Sequence, residues 1–142
     1  MLDKFTIHPC DKGNIKTIID GINDYNLSNV AALADAWAPL DYVMKNENDE
    51  EIAGILSGIG YWNGLDIKIL WVRDDYRGQG IGSMILKHVE TIAIKKGATM
   101  AMLDTFSFQA EGFYLKNGYG SIGKINDFPK GYNRIYFSKK LG

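Results

Sequence analysis

The stretch that most constrains this chain runs from Leu70 to Ser83: Leu-Trp-Val-Arg-Asp-Asp-Tyr-Arg-Gly-Gln-Gly-Ile-Gly-Ser. An apolar run that reads as a strand enters a short charged loop. The loop ends in glycines at alternate positions, and an amphipathic helical pattern begins at once. Gly78, Gly80 and Gly82 leave bare backbone that approaches a ligand closely and takes up dihedrals closed to other residues. The first turn of the following helix has N–H groups without intrahelical partners at the positive end of the helix dipole, a seat for phosphate. Arg77 sets a permanent positive charge beside it. Strand, loop and helix together predict a pyrophosphate cradle.

Two better-known cradles do not fit. A Walker loop requires Lys-Ser/Thr directly after its last glycine, and no lysine follows these glycines in that place. A dinucleotide fingerprint requires Gly-x-Gly-x-x-Gly, whereas Ser83 stands where the third glycine belongs, and the loop lies mid-chain. Arg77-Gly78-Gln79-Gly80-Ile81-Gly82 instead resembles the Arg/Gln-x-x-Gly-x-Gly/Ala segment of the GNAT superfamily of N-acetyltransferases, which holds the pyrophosphate of acetyl-coenzyme A.

A second stretch, Leu103 to Tyr119, is similar to the other coenzyme-binding segment of that family, where a strand end leads into a helix carrying Ala, then Phe-Tyr, then Lys-x-Gly-Tyr/Phe. Thr-Phe-Ser-Phe-Gln-Ala and Phe-Pro-Lys-Gly look like elements of one subgroup of small bacterial members. Where a proline often follows Ala110 in that pattern, this chain has Glu111 and Gly112. Glycine inside a short helix costs on the order of 1 kcal/mol against alanine. The resemblance is close from Ile52 to Leu141 and loose before Lys45.

The resemblance implies an α/β fold with a central mixed, mostly antiparallel twisted sheet flanked by helices, forming one domain over residues 1–142. It implies transfer of the acetyl group of acetyl-CoA to a primary amine by direct attack in a ternary complex. Tyr114 takes the place of the family's tyrosine at the thioester sulfur. A phenol is neutral and proton-bearing at pH 7, as a general acid must be. Trp71, Val72, Arg77, Gly78, Gln79, Gly80, Ile81, Gly82 and Ser83 map onto the coenzyme cradle, and Ser107, Gln109, Phe113 and Lys116 onto the second segment. Ser107 reads equally well as a helix cap, and Phe113 as core. A backbone N–H near Trp71 or Val72 is the expected oxyanion donor.

An amine with a pKa near 10.4 needs about 4–5 kcal/mol to lose its proton at pH 7, so a base is required: Asp66, near the start of the strand leading to the cradle, or a water chain. At period 2, Asp66, Lys68, Leu70 and Val72 are expected on one strand face. Asp66 also reads as a partner for Lys68. Tyr25, Asn26, Asp35, Trp37, Asp41, Tyr42 and Asp127 are candidates for an acidic, aromatic acceptor pocket. Aminoglycosides, polyamines, amino acids and protein amino groups all remain open, with a small-molecule amine favoured. A non-catalytic acetyl-CoA sensor and an adenylate-binding module are the other readings.

Sixteen basic and 17 acidic side chains leave a formal net charge of −1, so no basic field points to nucleic acid or an anionic membrane. No His/Cys/carboxylate cluster suggests a metal, and His8 and His88 lie away from both motifs. Cys10 excludes an intrachain disulfide and suits a reducing compartment. The first residues, Met1 to Phe5, lack signal-peptide character, and a cytoplasmic protein is expected. A homodimer is compatible with the family resemblance.

Along the chain, the pattern predicts a strand at Phe5–Ile7, a helix from Asn14 to Tyr25, a second helix from Leu27 to Pro39, and a strand at Asp41–Lys45. Strands from Ile52 to Trp62 and Leu65 to Val72 are joined at Asn63-Gly64, a hairpin signal. Ile81, Ile85, Leu86, Val89, Ile92 and Ala93 fall at helical spacing, and Lys95-Lys96-Gly97 closes that helix. Thr99–Phe106 reads as a mostly buried strand, Gln109–Lys116 as a short helix, and Tyr119–Ile125 and Arg134–Ser138 as closing strands.

Overall fold

A computed structural model describes residues 4–142. Met1, Leu2 and Asp3, part of the N-terminal stretch read above, lie outside the described residues. The chain divides into two compact units, one ending at Ala32 and one spanning Leu33–Gly142.

In the first unit, α1 (Lys12–Asn29) begins at a capping box. The Asp11 carboxylate accepts from the Asn14 N–H at 2.7 Å, and the Asn14 side chain accepts from the Asp11 N–H at 3.0 Å. The helix ends where Ser28 and Asn29 turn their side chains back onto the Tyr25 carbonyl, at 2.6 and 2.9 Å. Such local bonds compete with helix propagation, and the helix expected over Leu27–Pro39 does not form. The strand expected at Phe5–Ile7 does not form either. A strand exists only through a partner, and Thr6 instead makes a side-chain hydrogen bond with His8 at 2.7 Å.

In the second unit seven strands form one sheet: β1 (Trp37–Pro39), β2 (Tyr42–Lys45), β3 (Glu51–Gly60), β4 (Gly64–Val72), β5 (Met100–Phe106), β6 (Gly120–Asn126) and β7 (Asn133–Lys140). Their order is β1-β3-β4-β5-β7-β6, with β2 also on β3, and only the β4–β5 pair is parallel. Pro39 ends β1 on the sheet's margin, where its missing N–H breaks no ladder. The β3–β4 hairpin turns through Asn63 in the left-handed region, φ 60°, as the Asn-Gly signal anticipates.

Helices α2 (Ile81–Lys95) and α3 (Glu111–Lys116) pack on one side of this sheet. Ile85, Leu86, Val89 and Ala93 of α2 form a buried stripe against Ile55, Leu65, Ile67, Leu103 and Phe137. Each of the Ile, Leu, Val and Phe side chains among them contributes about 1.5–3 kcal/mol by leaving water. The strand expected to be mostly buried, β5, alternates instead: Ala101, Leu103 and Thr105 are buried while Met102 and Asp104 are exposed. Only one of its faces meets a helix of this unit.

Two irregularities shape the sheet's centre. Leu56 pairs with Ile69 but Ser57 pairs with Ile67, so Lys68 is an extra residue bulged out of β4. The inserted residue reverses the alternation: Leu65 and Ile67 are buried, Lys68 and Ile69 are both exposed, and Leu70 packs against the core. Asp66 therefore does not share a face with Leu70 and Val72, because the period-2 count fails across a bulge. The second irregularity is that β4 and β5 pair only from Gly64 with Met100 to Asp66 with Met102, then separate. Their divergence opens a wedge in the sheet.

Candidate active site

A cleft of about 760 Å³ lies between Leu70, Trp71 and Val72 of β4, the glycine loop with the first turn of α2, and the segment from Phe108 to Tyr114. That volume is within the range of small-ligand sites. A 3₁₀ turn, Asp74–Tyr76, brings the chain from β4 into the loop. Gly78 and Gly80 then adopt φ of 77° and 80°. A side chain on either would meet no atom within 4 Å, so glycine is required there by conformation and not by crowding. Gly82 is the opposite case. Its missing side chain would start 3.1 Å from Cε1 of Phe113 and 3.6 Å from Cγ2 of Val72, so glycine lets α2 close onto β4 and α3.

No side chain caps the N-terminus of α2, whose N-cap is Gly80. The N–H groups of Ile81, Gly82 and Ser83 thus open on the cleft, an arrangement suited to phosphate oxygens. The Arg77 guanidinium is held at the lip by the Val72 carbonyl, which accepts from Nε at 3.0 Å, and by Asp74 at 3.0 Å. The backbone direction of β4 follows from one bond: the Arg73 N–H donates to the Ile52 carbonyl at 2.8 Å. By strand alternation the N–H groups of Leu70 and Val72 then point away from β3, into the wedge. Of the two residues expected near the oxyanion position, Val72 and not Trp71 has the available amide.

Tyr114 closes the deep end of the cleft. Its ring is 6% exposed and touches Phe113, Tyr119 and Phe137 with centroids 5.1, 5.8 and 6.0 Å away. Its hydroxyl makes no hydrogen bond among the described residues. Burial, with a smaller contribution from the Asp104 charge, pushes its pKa up to about 12.

A model of the acetyltransferase (GNAT) family matches residues 17–119. The chain belongs to that family. It is 36% identical over 92 residues to blasticidin-S acetyltransferase of Streptomyces morookaense, covering 64% of this chain and 68% of that protein. It is 35% identical over 104 residues to the peptidyl-lysine N-acetyltransferase YjaB of Salmonella typhimurium, covering 70% and 66% of the two. Among solved structures, an acetyltransferase from Bacillus cereus ATCC 14579 superposes with a TM-score of 0.88 at 32% identity, over 97% of this chain and 99% of that one.

Within this GNAT cleft, the structure brings together Trp71, Val72, Arg77, Gly78, Gly80, Ile81, Gly82, Ser83, Gln109, Phe113 and Tyr114. Gln79 stays in the loop but bonds the Asp75 carbonyl at 3.5 Å. Ser107 caps no helix. It clamps β7 to the end of β5, donating its N–H to the Asn133 carbonyl at 2.8 Å and accepting the Asn133 N–H on Oγ at 2.9 Å. The expected helix start at Gln109 shifts to Glu111, because the Gln109 side chain closes a turn by accepting the Phe106 N–H at 2.8 Å. Lys116 is exposed in the last turn of α3, off the cleft wall, and Asp66 stands at the apex of the wedge where the β4–β5 ladder ends.

Tyr76, Phe108 and Gly112 line the cleft without having been singled out by sequence. Phe108 had a signal in hindsight: an apolar residue in a polar strand-to-helix connection. Four of the candidate acceptor residues in this unit are engaged locally. Asp41 accepts the Ser57 N–H at 3.0 Å, Asp127 accepts the Gly131 N–H at 3.3 Å, Trp37 covers Gly58, and Tyr42 meets His88 edge-on at 4.9 Å. Among the described residues no group of three or more His, Cys, Asp or Glu is placed to hold a metal, and no helix is long and apolar enough to cross a membrane.

Proposed function

We propose that this GNAT protein transfers the acetyl group of acetyl-CoA to a primary amine in a ternary complex. The observation that carries the proposal is the joining in one cleft of a positive-φ glycine loop, an uncapped helix N-terminus and a largely buried tyrosine. The amides of the first turn of α2 hold the pyrophosphate, and the Arg77 charge attracts it from the lip. Bound acetyl-CoA supplies an acetyl thioester, and Gln109, Phe113 and the β4 edge orient its pantetheine arm towards Tyr114.

The Val72 N–H, aimed into the wedge and fixed before reaction, receives the oxyanion that develops as the amine nitrogen bonds the carbonyl carbon. Asp66 or water in the wedge takes the ammonium proton before the attack, and the second proton passes from nitrogen to solvent as the adduct forms. The carbon–sulfur bond then breaks, and the Tyr114 hydroxyl meets the departing sulfur. A phenol with a pKa near 12 is never short of its proton at neutral pH. Outright transfer to a thiolate of ordinary pKa near 8.5 is uphill by about 5 kcal/mol, so Tyr114 works mainly by hydrogen bonding as negative charge grows on sulfur. Solvent restores any proton that it gives up.

The acceptor is a small-molecule amine, in keeping with the relative named for blasticidin S, with a lysine side chain of a protein as the second reading, in keeping with the relative named for peptidyl-lysine. The test is thiol release from acetyl-CoA with blasticidin S, an aminoglycoside, spermidine and a lysine-containing peptide, followed by the same assay on Tyr114→Phe. Turnover that falls roughly 10²-fold in the variant at little-changed KM for acetyl-CoA supports the mechanism. Tight acetyl-CoA binding without turnover of any amine favours a non-catalytic sensor.

A further inference from the structure

Glu90 is a buried ionisable group, 7% exposed, on the core side of α2, and none of the chemistry above employs it. The Tyr119 hydroxyl donates to its Oε2 at 2.6 Å. Lys139 Nζ donates to both carboxylate oxygens, at 3.0 and 3.2 Å, and to the Asn117 carbonyl just past α3, at 2.9 Å. The same ammonium stands 5.4 Å from the centre of the Tyr119 ring. Gly118, at φ 89°, makes the turn that delivers Tyr119 here, and a side chain on it would begin 3.4 Å from Lys139 Cε. This accounts for the Gly118-Tyr119 pair that follows α3.

Stability alone is a poor reason for such a network, because buried ion pairs are often replaced by apolar residues without loss. Its geometry offers another. The Tyr119 ring meets the Tyr114 ring edge-on at 5.8 Å, and the Tyr119 N–H donates to the Tyr114 carbonyl at 3.0 Å. The network therefore ties the C-terminal end of α3 to α2 and β7, while Phe113 against Gly82 ties α3 to the first turn of α2. Tyr114 lies between the two ties.

We propose that Tyr119, Glu90 and Lys139 form a positioning network that holds the Tyr114 hydroxyl at the sulfur of the thioester. This rests on the reading of Tyr114 as the group that meets the sulfur. The experiment is a pair of double-mutant cycles: Tyr119→Phe and Glu90→Gln, each made in the native protein and in Tyr114→Phe, with thermal midpoints recorded alongside. The rate is thiol release from acetyl-CoA with the best acceptor of the panel above, or without acceptor if none is turned over.

Both variants are expected to lower kcat about 5- to 20-fold, leave KM for acetyl-CoA within about 2-fold, and lose nothing further in the Tyr114→Phe background. A purely structural role lowers the thermal midpoint without that dependence on Tyr114. Equal losses in both backgrounds, or no loss in either, overturn the network and leave the role of Tyr114 standing. A Tyr114→Phe protein with undiminished kcat overturns both. Tyr119→Phe removes a single oxygen atom and keeps the ring packing, so it decides the matter if Glu90→Gln does not fold.

Discussion

Gly82 and Phe113 are in contact across the floor of the cleft, the Phe113 ring lying 3.1 Å from the point where a Gly82 side chain would begin. This contact sets how closely the phosphate-facing turn of α2 approaches the helix that bears Tyr114. It also assigns Phe113 two roles, as core residue and as cleft wall.

Substituting valine at Gly82 pushes Phe113 and Val72 away from α2. Overpacking of this kind costs about 1–3 kcal/mol, and acetyl-CoA affinity is expected to fall at least about tenfold. Calorimetric titration with acetyl-CoA checks it. Affinity unchanged in Gly82→Val would show that α3 adjusts freely and that the contact does not shape the site.

Gly80→Ala probes the loop differently, since its side chain would meet nothing. The left-handed backbone, φ 80°, is the whole difficulty and costs roughly 1–2 kcal/mol. A lower thermal midpoint is expected, with much of the loss recovered when saturating acetyl-CoA holds the loop in place. An alanine variant as stable as the native protein would mean that the loop adopts another conformation.

Arg77 is exposed at the lip and already faces Asp74 and the Val72 carbonyl. Its charge therefore acts on phosphate through solvent, where salt screens it. Arg77→Gln should weaken acetyl-CoA binding by roughly 3- to 10-fold at low salt and by less at high salt. A loss independent of salt would point to a direct, desolvated contact.

Alkaline pH should destabilise the fold through Tyr114. Its pKa rises on folding from an ordinary 10.0 to about 12, so between those values the unfolded chain has lost a proton that the folded one retains. Stability is full below about pH 10 and declines as pH rises towards about 12, by up to roughly 2–3 kcal/mol from this group. Tyr119, whose pKa is raised by burial and by Glu90, acts in the same direction. Thermal midpoints measured across this interval should fall less steeply in Tyr114→Phe than in the native protein.

How much of this was legible in the chain itself varies by element. The cradle was: alternate glycines between an apolar run and a helical pattern have few conformations open to them, and Gly78, Gly80 and α2 adopt the expected ones. The core stripe of α2 and the Asn63-Gly64 turn were legible for the same reason, since local sterics and helical spacing act over a few residues. Tyr114 was singled out by resemblance, and the fold placed it in the cleft.

What only tertiary structure decided concerns relations between distant segments. The Lys68 bulge exists because β3 and β4 pair in two registers, and it moved Asp66 off the face that a period of two assigns to it. Ser107 became a clamp on β7 because a strand from 26 residues further along lies beside it. The orientation of the Val72 amide follows from the bond between Arg73 and Ile52. Pairing register and burial depend on which segments meet, and that information belongs to no single window of the sequence.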